Sequence, residues 1–137
     1  MHINNKGLQL IKNFEGLRLK SYKCPAGILT IGYGHTGSVV KTVMIITAEK
    51  AEELLKKDLI KFEKAVEQNV KIKLNENQFS ALVSFTYNCG VGNLRTLIKN
   101  RDVKQIGDAL LKYNKAGGKI LLGLVKRRQA EHNLFFS

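Results

Sequence analysis

Glu15 stands out because it is the only carboxylate in residues 1–48, a stretch that holds six Lys or Arg residues. It lies between Phe14 and the pair Gly16-Leu17. Apolar neighbours favour the protonated acid and nearby cations favour the carboxylate, so the sequence leaves its charge open. A carboxylic acid that keeps its proton near neutral pH can protonate a leaving group, so Glu15 is a candidate general acid.

The elements that must position Glu15 are a short helix, a hairpin and a long helix. Apolar residues at near-helical spacing predict a helix over residues 4–14 that stops near Gly16. Strand formers on both sides of the turn signal Cys-Pro-Ala-Gly predict a β-hairpin over residues 17–36, with a third short strand after Gly37. Thr47 is a predicted cap for a long helix that runs to about residue 69.

The remainder of the chain is predicted to be helical. Asn75 caps a helix that ends near Gly90, the pair Asp102 and Gln105 forms a capping box, and residues 121–135 form the last helix after a glycine break. We therefore expect an α+β fold in a single domain, 1–137. A small lobe (about 13–50) would be joined by an inter-lobe helix (about 47–69) to a helical lobe (about 70–137 plus the N-terminal helix), with a ligand cleft between the lobes.

Composition narrows the function classes. The net charge of +12 attracts polyanions, and the 44% hydrophobic content argues against disorder. No apolar run approaches the roughly 20 residues of a membrane span, and we expect no secretory signal. Two cysteines make no disulfide scaffold, and no metal-ligand spacing exists. Lys and Arg are spread throughout, Trp is absent and the tyrosines do not cluster, so a specific nucleic-acid partner is not expected.

Three residues match a known active-site spacing. Eight residues separate Glu15 from Cys24, and five separate Cys24 from Thr30. This spacing resembles the active-site pattern of phage-type lysozymes, glycoside hydrolase family 24, in which Glu is followed after eight residues by Asp or Cys and after five more by Thr. The same resemblance extends to other parts of the chain: the surrounding FEGLRLKSY and LTIGYGHT, the segments 47–59 and 85–92, and the C-terminal AGGK, GL and RR. The similarity covers nearly the whole chain and implies a lysozyme-like fold without a cofactor.

The resemblance also implies an activity, which is hydrolysis of the β-1,4 bond between N-acetylmuramic acid and N-acetylglucosamine in peptidoglycan. Glu15 would protonate the leaving oxygen, and water would attack from the opposite face. Cys24 departs from the common aspartate. It could act as a thiolate base, as a neutral group that orients water, or as a nucleophile. We favour the positioning of water together with Thr30, which implies inversion at the anomeric carbon.

Other residues receive supporting roles from the resemblance. His35 is expected to pair with Asp58 and so tie the hairpin to the long helix. Arg127 is expected to reach Glu15. The alternative is that Arg127-Arg128 forms a solvated basic face. The remaining residues expected to support or bind substrate are Tyr22, Gly32 and Gly34.

The expected biology is that of an endolysin. We expect a monomer that accumulates in the host cytoplasm until a holin releases it to the periplasm and the cell wall. Two alternatives stay open: a lytic transglycosylase, and a basic membrane-perturbing protein. From Leu110 to Ser137 the chain has six Lys or Arg against one acid, Glu131, so the C-terminal helix is a candidate contact for anionic outer-membrane lipid or lipopolysaccharide.

Overall fold

The computed structural model describes all residues, 1–137. The chain forms two compact units, one made of Lys12–Ile60 and the other of Met1–Ile11 with Lys61–Ser137. The boundaries fall inside helix α1 (Asn5–Glu15) and helix α2 (Ala48–Asn69). Six helices and two small antiparallel sheets confirm the predicted α+β class. None of the helices combines the length and apolar character that a bilayer crossing requires.

The first unit contains a three-stranded antiparallel sheet. Its strands are β1 (Arg18–Lys23), β2 (Leu29–Gly32) and β3 (His35–Thr36), in that order across the sheet. The third strand therefore precedes Gly37, and its predicted position after Gly37 was wrong. Tyr33-Gly34 reverses the chain at once, because Gly34 adopts a φ of 92°, and His35 then lies opposite Ile31.

A fourth segment pairs with the outer edge of β1. The Ser21 N–H donates to the Met44 carbonyl and the Ile46 N–H donates to the Leu19 carbonyl, both at 2.8 Å. Lys20 and Ile45 lie directly opposite each other. The register between β1 and β2 is irregular between Arg18 and Tyr22, which is where β1 makes these contacts with residues 44–46. The sequence pattern of residues 44–46 did not predict this pairing with β1.

The core of this unit lies beneath the sheet. Ile31, Val40 and Leu54 are buried, and Leu29, Met44 and Ile46 pack against them. Helix α2 begins as predicted, because the Thr47 hydroxyl accepts a hydrogen bond from the Lys50 N–H at 3.1 Å. Its residues Ala51, Leu55 and Leu59 are also buried.

The second unit is mainly helical. Its helices after α2 are α3 (Glu76–Cys89), α4 (Val91–Ile98), α5 (Val103–Ala109) and α6 (Leu122–Phe135). Asn75 and Asp102 form the predicted capping boxes with Gln78 and Gln105. Helix α4 begins directly after Gly90 and was not predicted as a separate helix. The hairpin of β4 (Lys115–Ala116) and β5 (Lys119–Ile120) lies where only a glycine break was predicted.

Candidate active site

Glu15 is the last residue of α1. Gly16 ends the helix, because its φ of 74° is a left-handed conformation and its N–H still donates to the Lys12 carbonyl at 3.0 Å. The chain then enters β1 at Arg18. Glu15 is half-buried and belongs to the same unit as Cys24 and Thr30. The local sequence therefore places a carboxyl group where a helix gives way to the sheet.

Cys24 begins the turn that joins β1 to β2. Its carbonyl accepts from the Gly27 N–H at 2.7 Å, and its N–H donates to the Ile28 carbonyl at 3.0 Å. Pro25 suits the first central position of a type I turn, and Gly27 supplies the left-handed residue (φ 78°) that closes a three-residue hairpin loop. The tight loop holds the cysteine backbone at two points.

The same turn directs hydrogen-bond donors at the Cys24 sulfur. Hydrogen bonds from the backbone of Ile28 and then of Ala26 lower the pKa of the Cys24 thiol most strongly, and the Thr30 hydroxyl lowers it further. Desolvation raises this pKa, but by less than the Ile28 and Ala26 bonds lower it. The Thr30 hydroxyl also lies 3.0 Å from the Ile28 carbonyl. Its single proton serves one acceptor at a time, and an ionised sulfur is the stronger acceptor. The loop therefore makes the Cys24 thiol more acidic than an ordinary cysteine.

Thr30 and Tyr22 face the same side of the sheet. They are direct partners across β1 and β2, and Thr30 is only 4% exposed. The Arg18 guanidinium lies over the Tyr22 ring, 4.4 Å from its centroid. The structure thus aligns Thr30, Tyr22 and Arg18 on one surface.

His35 lies beside Asp58, with Nδ1 2.8 Å from Oδ2. His35 belongs to β3, whose other residue Thr36 pairs with Thr30, and Asp58 belongs to α2. The contact therefore fastens the strand next to Thr30 to a long helix of the same unit.

The two glycines of the proposed site differ in their surroundings. Gly32 is buried, has a φ of 68°, and a Cβ there would lie 3.4 Å from the Ala51 Cβ. The backbone conformation and the packing of α2 explain this glycine without a ligand. Gly34 is exposed and forms the β2–β3 turn. A role of either glycine in substrate binding stays a prediction.

Arg127 belongs to the other unit and lies in a buried charged cluster. The cluster contains the Glu131 carboxylate, which accepts from Ser84 Oγ at 2.6 Å and lies 2.8 Å from Arg128 Nε and 3.4 Å from Arg127 Nε. Arg127 and Arg128 are 4% and 0% exposed, so the alternative of a solvated basic face is wrong at both residues. The contact of Arg127 with Glu15 stays a prediction. The lone acid of the segment, at i+4 and i+3 from the arginines, was the signal for an internal ion pair.

Cys89 differs from Cys24 although both thiols are free. Burial raises the pKa of the Cys89 thiol more than the charge of Arg128, which contacts its sulfur, lowers it. The structure contains no group of three or more His, Cys, Asp or Glu side chains that could hold a metal ion.

Comparison with known proteins identifies the family. The phage lysozyme family model matches residues 12–131. The chain belongs to the phage lysozyme family. It is 41% identical to the endolysin of Salmonella phage P22, over all of this chain and 99% of that protein. A crystal structure of a P22 lysozyme mutant superposes with a TM-score of 0.91 at 40% identity, covering 100% of this chain and 99% of that one.

Some relatives in the phage lysozyme family are longer. The endolysin of Bacillus phage B103 is 44% identical, and the match covers the whole of this chain but 55% of that protein. The chain therefore spans about half the length of this relative and of the endolysin of Bacillus phage PZA, where the share is 56%. The predicted lysozyme-like fold and family are confirmed.

The two thiols allow a direct test of the turn around Cys24. We expect iodoacetamide at pH 7 to alkylate Cys24 faster than Cys89, because thiolate is the reactive form and the two pKa shifts have opposite directions. Mass spectrometry of tryptic peptides over a time course measures both rates in one sample. Thr30→Val should slow Cys24 alone. Equal rates at the two sites, or no change in Thr30→Val, would contradict the assignment.

Proposed function

We propose that this phage lysozyme family member is a peptidoglycan hydrolase that cleaves the β-1,4 bond between N-acetylmuramic acid and N-acetylglucosamine. The observation that carries the proposal is the hydrogen-bonded turn that begins at Cys24 and leads to Thr30, in the unit that also contains Glu15; hydrogen bonds within this turn lower the pKa of the Cys24 thiol. A carboxylic acid and a water-binding pair are the groups that inverting glycosidases use.

The proposed reaction begins at Glu15. Its carboxyl proton passes to the glycosidic oxygen while the bond from that oxygen to C1 of N-acetylmuramic acid breaks, which leaves an oxocarbenium-like centre. A water held by Cys24 and Thr30 forms the new bond to C1 from the opposite face. The Cys24 thiolate accepts the proton that this water loses, and solvent then restores both groups. The net change is the addition of one water.

Glu15→Gln tests the general acid, because the amide keeps the shape of the side chain but cannot supply the proton. We expect release of reducing ends from purified sacculi to fall by at least about 100-fold, the usual contribution of a general acid. Glu53→Gln is the matched control, since Glu53 is exposed and pairs only with Lys50 on the surface of α2.

The products of the wild-type reaction separate the hydrolase from a lytic transglycosylase. Hydrolysis gives a reducing N-acetylmuramic acid end, whereas a transglycosylase gives an anhydro sugar that is lighter by one water. Mass spectrometry of the fragments decides between them. Full activity of Glu15→Gln would exclude Glu15 as the acid, and anhydro products would exclude hydrolysis.

The pH dependence tests the proposed role of Cys24. Because the pKa of its thiol is lowered, we expect the hydrolysis rate to rise with pH below the range where an ordinary thiol ionises. Cys24→Ser should lose about 10- to 100-fold in rate together with this rise, whereas Cys89→Ser should keep both. Near-full activity of folded Cys24→Ser would exclude the thiolate role, and complete loss would favour a nucleophile.

Release and lipid contact form a second pair of proposals. We propose that a holin delivers the protein from the host cytoplasm to the cell wall, as its endolysin relatives suggest. Contact with anionic outer-membrane lipid would use the exposed apolar residues Ile120 and Leu122 and the exposed lysines Lys119 and Lys126, because the arginines of α6 are buried.

One lysis experiment addresses both proposals. We expect the protein expressed inside Escherichia coli to lyse the cells only when a holin is co-expressed. We also expect purified protein added from outside to lyse intact cells, and the Leu122→Ser variant to do so more weakly than the wild type. Turbidity measures both. Lysis without a holin would contradict the release proposal. The lipid contact would be contradicted if purified wild-type protein does not lyse intact cells, or if the Leu122→Ser variant lyses them as well as the wild type does.

A further inference from the structure

Strand β1 carries cations that no carboxylate neutralises. Its three charged residues, Arg18, Lys20 and Lys23, are exposed and have no ion-pair partner, and residues 16–48 contain no Asp or Glu. Three other lysines of the same unit do have carboxylate partners: Lys12 and Lys56 pair with Glu52, and Lys50 pairs with Glu53. Unpaired like charges on one strand repel each other, so an anion bound at β1 would relieve a repulsion that the fold leaves in place.

This cationic strand begins and ends at the proposed catalytic groups. Arg18 follows Glu15 by three residues, and Lys23 directly precedes Cys24. The Tyr22 ring holds the Arg18 guanidinium on the face of the sheet that bears Thr30. Because stacking already limits the motion of Arg18, this residue loses less freedom than a lysine when it binds an anion.

An exposed apolar side chain accompanies the cations. Ile45 lies directly opposite Lys20 in the segment 44–46 and is 71% exposed. A ligand that suits this surface carries several carboxylates and small apolar groups. An acidic peptide rich in alanine has that chemistry, whereas a polyphosphate chain would use only the cations.

We propose that β1 and Ile45 bind the acidic peptide stem attached to N-acetylmuramic acid, with Arg18 and Lys20 contacting its carboxylates. The proposal rests on the proposed hydrolase function, since that function places a peptide-bearing glycan at Glu15 and Cys24. It assigns to Arg18 and Lys20 a specificity role and no part in bond cleavage.

The test compares native sacculi with sacculi whose stem carboxylates have been amidated by carbodiimide and ammonia. Amidation removes the charge of the peptide and leaves glycan and phosphate polymers unchanged. We expect the wild type to show an apparent KM about tenfold higher on amidated sacculi, as two exposed charge contacts of about two- to fivefold each would give. In the double variant Arg18→Gln/Lys20→Gln the ratio of the two KM values should fall to about one.

The control is Lys57→Gln, which removes one exposed, unpaired cation from α2 of the same unit and should keep the wild-type ratio. The native-sacculi KM of the wild type should also rise with NaCl more steeply than that of the double variant. Three outcomes would overturn the proposal. The wild type does not distinguish the two substrates, the double variant still distinguishes them, or the salt dependence of KM survives amidation, as binding to a phosphate polymer would give. Absence of cleavage of both substrates by the wild type would instead refute the hydrolase function.

Discussion

The hydrogen bonds that the β1–β2 turn offers to the Cys24 sulfur are the interaction on which the proposed chemistry depends. Backbone donors in the turn, with the Thr30 hydroxyl, favour ionisation of a thiol in an exposed loop. The turn exists because Pro25 and Gly27 suit its two demanding positions. The lowered pKa makes this thiol more acidic than an ordinary cysteine, which is the property that the proposed role at the Asp-or-Cys position of the family pattern requires.

The rest of the first unit holds this turn in register. Thr30 pairs with Tyr22 on one side and with Thr36 on the other, and the contact of His35 with Asp58 fastens the outer strand to α2. In the second unit the buried Glu131 lies against Arg127 and Arg128, so the surplus positive charge at the surface comes from lysines and from other arginines such as Arg18 and Arg95. Removing one partner of such a buried pair would leave the other charge unpaired inside the protein, which is strongly destabilising.

Local signals made most of the fold predictable from the sequence. Caps at Thr47, Asn75 and Asp102 and the glycine stop after Glu15 are decided within a few residues, and each lies where it was predicted. Contacts distant in sequence were not predictable in this way. The pairing of residues 44–46 with β1 depends on tertiary packing, and the burial of Arg127 and Arg128 depends on Ser84 and Glu131 on two different helices. For the site, the spacing of Glu15, Cys24 and Thr30 identified the candidates, but only the turn geometry distinguishes an ordinary thiol from one whose pKa is lowered.

The configuration of the newly formed reducing end tests the central claim most directly, because it reports which atom attacks C1. Proton NMR in the first minutes of hydrolysis, before mutarotation, resolves the two anomers of N-acetylmuramic acid. Water held by Cys24 and Thr30 inverts the β-linkage, so the account predicts the α-anomer first. The β-anomer as the first product would show retention, and with it a covalent intermediate that this account does not contain.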